Sequence, residues 1–474
     1  MPIQDDSALV ARLASLNANY TDLGNARRLV GLFGADLRFC PQHKRWLVWD
    51  GSRWVWDEDG RINLYAKSVI KVMHLQASQE KNDTVRAKLA GWAWTSESAH
   101  RIEAMIKLAA TEPRIPVHPS QLDPDPMLLG VANGTVDLRT GKLRASRRED
   151  FITKQAAVRF DPSAECPRWN SFASRIFDGP KGLFEYHQRL AGYCLTGLAR
   201  EHYLFIPLGQ GANGKTVFWE TLGTLMGNYA ATTPPETLMK RKNTGGPSPD
   251  LARLPGVRLA LASEPDEASV LAEALVKRMT GQDTIYCRDL YGKPFEFKPQ
   301  FKIVLRTNDK PIIRSDSYAT WRRIQLIPYP VTIPKSERNK ELLEQLEGEL
   351  PGILNWVLEG LRAYLRDGLA PPKCIQDAVS QYRSEMDILG DWIEECCEED
   401  PHAKVSAKEL YTSYRNWSQS SGHQPVSKKR LSQKLQNRGI ERTRTGKGRF
   451  YVGLALKTID LDDVSNQTVH GPMG

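Results

Sequence analysis

Cysteine is scarce in this 474-residue chain, and what there is does not pair. The seven cysteines (Cys40, Cys166, Cys194, Cys287, Cys374, Cys396 and Cys397) are odd in number, and none stands in a C-x-x-C spacing. That excludes a disulfide framework, gives structural zinc no ligand spacing, and points to a reducing cytoplasm. Long hydrophobic runs are also missing. No segment approaches the roughly 20 apolar residues of a membrane-spanning helix. The opening stretch MPIQDDSALVARLASLN has two aspartates and no apolar core of export length, so neither a signal peptide nor a membrane partner is expected. No internal repeat is visible. Hydrophobic content of 41% and charged content of 26% are ordinary for globular domains. The net charge of +9 argues mildly for a polyanionic partner.

The most informative stretch is Gly209-Gln210-Gly211-Ala212-Asn213-Gly214-Lys215-Thr216, which fits G-x-x-x-x-G-K-[ST]. Glycines let a backbone wrap closely around a polyphosphate with its N–H groups inward. Lys215 is placed to reach the β- and γ-phosphates and Thr216 to hold Mg²⁺. The flanks agree: His202 to Leu208 reads as a buried strand, and Phe218, Leu222 and Leu225 recur at helical spacing before Gly227, a C-terminal cap. Strand, loop and helix in that order set a helix N-terminus against the anion. The competing reading is a glycine-rich turn before an ordinary helix.

Three more short apolar runs read as buried strands: 257–262 (VRLALA), 301–306 (FKIVLR) and 323–328 (RIQLIP). Each leaves a polar residue at or beside its end, where ligands sit in an α/β sheet. Glu264 follows the first and is a candidate to face Mg²⁺ and polarise water, with Asp266 and Glu267 close by. Asn308 follows the second and is a neutral amide able to donate to a γ-phosphate, although turn chemistry before Asp-Lys-Pro also explains it. Arg323, rather than Arg322, is the candidate to neutralise charge on a phosphate across a subunit boundary. Between Glu264 and Asn308, residues 284–298 read as a hairpin with Lys293 at its tip, a cationic finger for DNA. Lys277 and Arg288 fit contacts to either nucleotide or nucleic acid.

Upstream, residues 7–33 and 62–111 are helical in pattern. Residues 45–56 carry four tryptophans around Asp-Gly, a hairpin whose rings are read as core rather than as a base-stacking platform. Asp57-Glu58-Asp59 and Asp123-Pro124-Asp125 are read as turns, not as paired polymerase carboxylates. Residues 377–399 form an acidic helix. The charge then reverses. Ser406 to Glu409 fits a capping box, and Leu410, Tyr414 and Trp417 mark an apolar face. Ser427 caps a second helix carrying Lys428, Lys429, Arg430 and Lys434 outward, and a β wing follows around residues 443–448. Helix, basic helix and wing make a winged helix suited to DNA phosphates or to a protein partner such as a separate primase or polymerase.

GQGANGKT, the strand ending in SEP, KRMTGQDTIYCRDLY, FKIVLRTNDKP and ATWRRI, in this order, resemble a superfamily 3 helicase, closest to the phage and plasmid primase–helicase family shared with poxviruses. WLVWDGSRW, NGTVDLRTGKLR and CPRW resemble its helicase-associated N-terminal region. The likeness covers most of the chain. It implies an α/β fold: an AAA+-like superfamily 3 core with a mixed α+β N-terminal region and a C-terminal winged helix. It implies ATP and Mg²⁺ as cofactors, with Gly209, Gly211, Ala212, Asn213, Gly214, Lys215 and Thr216 on the nucleotide, Thr216 and Glu264 on the metal, Asn308 as sensor and Arg323 as finger. It also implies a homo-oligomer, a hexameric ring on single-stranded and forked DNA, moving usually 3′ to 5′. Ser263 departs from the two adjacent acids that many members have at Glu264. The expected division is 1–165 (N-terminal region), 166–340 (ATPase core), 341–400 (helical connector), 401–456 (winged helix) and 457–474 (tail), with no primase activity. The expected function is ATP-dependent unwinding in phage or plasmid replication. The rivals are an ATP-switched origin-binding initiator or loader and, more remotely, a packaging or transport ATPase.

Overall fold

The computed structural model describes residues 6–16, 18–240, 248–266, 269–290, 293–314, 317–423, 425–446 and 448–457. Glu267, the hairpin residues Tyr291 and Gly292, Lys447 in the wing and the tail beyond Lys457 lie outside them. The fold is mixed α/β. It divides into one unit of residues 1–311 with 323–376 and a second of 312–322 with 377–474.

The first unit is organised by five strands: β1 (Leu204–Leu208), β2 (Ala230–Thr233), β3 (Leu259–Ala262), β4 (Lys302–Leu305) and β5 (Ile324–Pro328). They lie in the order β5-β1-β4-β3-β2, all parallel. β3 and β4 are buried at every position, as a sheet covered on both faces requires. Three of the five follow from apolar runs in the sequence besides β1; β2, Ala-Ala-Thr-Thr, has none and exists by pairing with β3. The covering helices include α1 (Leu183–Leu195), α2 (Lys215–Met226) and α3 (Leu350–Asp367). α1 and α3 approach backbone to backbone: a Cβ on Gly192 would stand 2.1 Å from the Leu361 nitrogen, and one on Gly360 1.9 Å from the Gln188 oxygen.

Two buried cations join the entering edge of this sheet to its surroundings. Arg258, just before β3, donates to the carbonyls of Leu195 and Leu128, both at 2.6 Å, and lies over the Tyr229 ring. Lys302, the first residue of β4, donates to the carbonyls of Thr196, Leu198 and Gln300. Together they take carbonyls at the C-terminus of α1, where the helix dipole favours positive charge.

Toward the N-terminus, the helical pattern over 7–33 is two helices, Asp6–Ser15 and Asp22–Phe33; the second is capped by Thr21, whose hydroxyl accepts the Gly24 N–H at 3.1 Å. Residues 62–111 form three helices, Arg61–Gln79, Asp83–Ser96 and Ala99–Ala109. The tryptophan-rich segment is a sheet of Leu37–Cys40, Arg45–Trp49 and Trp54–Trp56. Trp46, Trp49 and Trp54 are buried, so they fill a core as expected. Asp57 accepts the N–H groups of Arg61 and Ile62 at the start of a helix, Asp123 is buried against Thr153, and Asp125 is paired with Arg139. Each of these aspartates is used by its own surroundings.

In the second unit the acidic stretch 377–399 is not one helix. Helices Lys373–Glu385 and Ile388–Cys396 are separated at Asp387, which accepts the Gly390 N–H at 3.1 Å and pairs with Arg438. Leu389 and Trp392 share a core with Leu410, Tyr414, Leu431, Leu435 and Tyr451. The helix placed in a 341–400 connector by sequence therefore belongs to the C-terminal core. The remaining elements are helices Ala407–Ser420 and Lys428–Asn437 and a sheet of Lys404–Ser406, Gly448–Val452 and Glu441–Thr445, in that order. Among the described residues, no helix is long and apolar enough to cross a membrane.

Candidate nucleotide site

The loop between β1 and α2 is shaped by left-handed backbone. Gly211, Ala212 and Gly214 have φ of 84°, 46° and 76°, a conformation that turns successive N–H groups to one side as an anion-binding concavity. A Cβ on Gly214 would stand 2.5 Å from Ile176 Cγ2, and one on Gly209 2.2 Å from Asn213 Nδ2. Both positions thus require glycine. The loop is held from outside by Ile333, whose N–H donates to the Ala212 carbonyl at 2.7 Å. Asn213 is buried. Its Oδ1 accepts the Lys215 N–H at 3.3 Å, while its Nδ2 is buried without a hydrogen-bond partner.

Lys215 opens α2 and is 6% exposed. Its ammonium donates to the carbonyls of Thr307 (2.5 Å) and Gly209 (3.2 Å) and to Asn308 Oδ1 (2.9 Å). Burial lowers its pKa from the ordinary lysine value; Glu264 opposes that shift and Arg306 adds to it. Asn308 is itself held at both ends of its peptide and side chain: its backbone N–H donates to Glu264 Oε1 and its Nδ2 to Oε2, both at 2.9 Å. Because β4 lies between β1 and β3, the ends of three adjacent strands bring Lys215, Asn308 and Glu264 into one hydrogen-bonded chain. Thr216 is exposed beside them on the first turn of α2.

Two side chains that the sequence did not single out join this group. Arg306, directly after β4, pairs with Glu220 of α2 at 3.1 Å. Glu220 follows Thr216 by one helical turn, and that spacing was the one signal available beforehand.

Arg323 is not brought to the site. Its carbonyl accepts the Leu204 N–H at 2.7 Å, so it stands at the entering edge of β5 and β1, whereas the loop follows the far end of β1. Five residues of strand separate the two, about 16 Å. The expected finger is a hairpin of Ile285–Cys287 and Phe295–Phe297; Arg288 and Lys293 are exposed on its connection, and Tyr286, overlooked in the sequence, is 61% exposed. Lys277 lies on a separate helix, Glu273–Thr280, and is half-buried. In the second unit Ser427 caps the basic helix by accepting the Arg430 N–H at 3.4 Å. Lys428, Lys429 and Arg430 are exposed there and Lys434 is half-buried.

Parts of the chain are similar to known proteins. The D5 N-terminal-like family matches residues 26–178, and the poxvirus D5 protein-like family matches residues 384–465. A helicase candidate of Acanthamoeba polyphaga mimivirus is 31% identical over 320 residues, 62% of this chain and 33% of that protein. A helicase candidate of Frog virus 3 is 27% identical over 379 residues, 62% of this chain and 39% of its own length. A primase candidate of African swine fever virus is 24% identical over 352 residues, covering 68% and 36%. The chain thus spans between a third and two fifths of these relatives. Among solved structures, the C-terminal region of NrS-1 is similar with a TM-score of 0.49 at 10% identity, over 92% of this chain and 100% of that one. A D5 family segment is thus matched toward each end of the chain, and its relatives of this kind come from large DNA viruses, a likeness consistent with the poxvirus-type primase–helicase family.

Proposed function

We propose that the chain is an ATP-dependent replicative DNA helicase whose subunits form a ring, hexameric by family resemblance, around single-stranded DNA. The observation that carries this reading is the convergence of Lys215, Asn308 and Glu264 from three adjacent strand ends onto a glycine-shaped loop. The residues fit a magnesium nucleotide. The loop is a cradle that side chains at Gly209 and Gly214 would fill, Asn213 Nδ2 is a buried donor without a partner, and Thr216 and Glu264 offer the oxygen ligands a hard divalent cation takes. Bound Mg·ATP supplies the phosphoanhydride whose hydrolysis drives movement. In this reading Lys215 binds the terminal phosphates, Thr216 and Glu264 hold the metal, Glu264 orients the attacking water, and Asn308 reports the state of the terminal phosphate to both. Arg323, a strand's length away in its own chain, serves a neighbouring subunit's site. We read the parallel sheet as an AAA+-like superfamily 3 core and the C-terminal elements as a winged helix whose Lys428, Lys429, Arg430 and Lys434 meet DNA phosphates, with Lys293 on the hairpin gripping the strand.

The exposed cations of the second unit also favour a different protein: an origin-binding initiator or loader that uses ATP to assemble and does not translocate. Fork unwinding separates the two. The chain should displace a strand from a tailed fork with ATP, and Lys215→Ala should abolish both hydrolysis and displacement while melting like the parent. Specific duplex binding without displacement supports the initiator, and a Lys215→Ala variant that still unwinds removes the loop from the mechanism.

A further inference from the structure

Arg306 is fixed by the sheet itself: its backbone N–H donates to the Ala262 carbonyl at 3.0 Å, continuing the β4–β3 ladder. Its side chain is only 14% exposed. Nη1 donates to Glu220 Oε1 at 3.1 Å, and Nε is buried with no hydrogen-bond partner. Glu220 lies one turn along α2 from Thr216, on the same face. A structural ion pair accounts for the Glu220 contact. It accounts neither for the unmatched Nε–H nor for a cation placed directly before Thr307, whose carbonyl takes the Lys215 ammonium. Cations gathered at the strand ends, on elements that a single ion pair locks together, suit a multiply charged anion. A guanidinium with unused donors supplies the planar, directional hydrogen bonding such an anion takes.

We infer that Arg306 is a second phosphate-binding cation of the nucleotide site, acting in the same chain as Lys215, and that Glu220 is its positioning residue, holding the guanidinium between α2 and β4. The inference rests on the reading of this site as a triphosphate site. It extends that reading to two residues and to a preference for nucleoside di- and triphosphates over monophosphates.

Calorimetric titration of the full chain with AMP, ADP and the non-hydrolysable analogue AMP-PNP, each with Mg²⁺, tests it. Arg306→Gln should weaken AMP-PNP and ADP by roughly 10- to 100-fold, as expected for a lost charged hydrogen bond, and leave AMP nearly unchanged. Arg306→Lys should recover part of the loss. Glu220→Gln should weaken AMP-PNP several-fold, because the guanidinium remains but is no longer fixed. The exchange Glu220→Arg with Arg306→Glu is the sharpest arm. It restores a salt bridge, so a purely structural pair would recover both melting temperature and binding, whereas a phosphate-binding arginine moved to the helix recovers melting alone. Recovery of both, or Arg306→Gln binding AMP-PNP as the parent does, overturns the inference. Should the parent and Lys215→Ala bind AMP-PNP equally poorly, the nucleotide reading falls and takes this one with it. Should only Lys215→Ala lose binding, that reading stands and Arg306 alone is refuted.

Discussion

Asn308→Asp changes one atom of the site's central bridge. The amide donates from Nδ2 to Glu264 Oε2 at 2.9 Å and accepts at Oδ1 from Lys215 Nζ at 2.9 Å. Aspartate has the same shape, so Lys215 keeps a partner, but an anionic oxygen now faces another at that 2.9 Å. Two unit charges so placed repel by about 1.4 kcal/mol in water and about 6 kcal/mol at an effective dielectric of 20. Asn308 and Glu264 are both exposed, which favours the lower half of that range. The lost hydrogen bond adds about 1 kcal/mol. The displaced energy is then about 2.5–4 kcal/mol, or roughly 100- to 1,000-fold in kcat/KM for ATP. It falls on the site rather than on the fold, since Glu264 can swing into solvent and relieve the repulsion at the expense of the metal-holding role proposed for it. The new carboxylate also competes with phosphate for the Lys215 ammonium. Asn308→Ala removes both side-chain hydrogen bonds but adds no repulsion, and should lose less. Steady-state ATP hydrolysis, with the thermal midpoint measured on the same preparations, decides it. An aspartate variant that hydrolyses as well as or better than the alanine variant refutes the coupling of Glu264, Asn308 and Lys215.

Two further outcomes follow from the sheet's entering edge. Burial depresses Lys302 from 10.5 to about 7. The unfolded chain therefore binds more protons between those values, and this residue's contribution makes stability rise with pH through the window, from about pH 7 toward 10.5. Lys302→Met should flatten the pH dependence of the urea midpoint over pH 7 to 10 relative to the parent, and parallel curves would contradict the assignment. Arg323→Ala should leave assembly intact yet hydrolyse poorly, and mixing it with Lys215→Ala subunits should restore activity if Arg323 acts in trans; mixed particles as inactive as their parents would remove it from the neighbour's site.

The parts of this chain that could be read in advance are those where one physical requirement is written in consecutive residues. β1, β3, β4 and β5 are apolar runs ended by turn residues, and the loop residues Gly209 and Gly214 stand where any side chain would collide. That Lys215, Glu264 and Asn308 come together could be expected because Lys215 ends the loop after β1 and the other two lie just beyond β3 and β4. What escaped was decided by partners distant in sequence. Nothing in Ala230–Thr233 marks a strand until β3 lies beside it. The breaks at Thr21 and Asp387 depend on which hydroxyl or carboxylate turns back to cap a helix, a choice that helical periodicity does not encode. Arg306 and Glu220 are 86 residues apart and are joined only when α2 packs beside β4.

Arg258 and Lys302 show the same divide most sharply. Each begins or precedes an apolar run, where a charged residue reads as the solvated end of a strand, yet both are fully enclosed. Their burial is tolerable only because α1 ends against the sheet and presents the carbonyls of Leu195 and Thr196, so that two desolvated cations meet the negative end of a helix dipole. The edge of the sheet opposite the loop is thereby braced by the hydrogen bonds of Arg258 and Lys302, while the loop edge carries Lys215, Arg306, Asn308 and Glu264. Under the reading proposed for this site, a nucleotide would meet the sheet at its loop edge, and Arg323 stands at the opposite, braced edge, on the strand that pairs with β1.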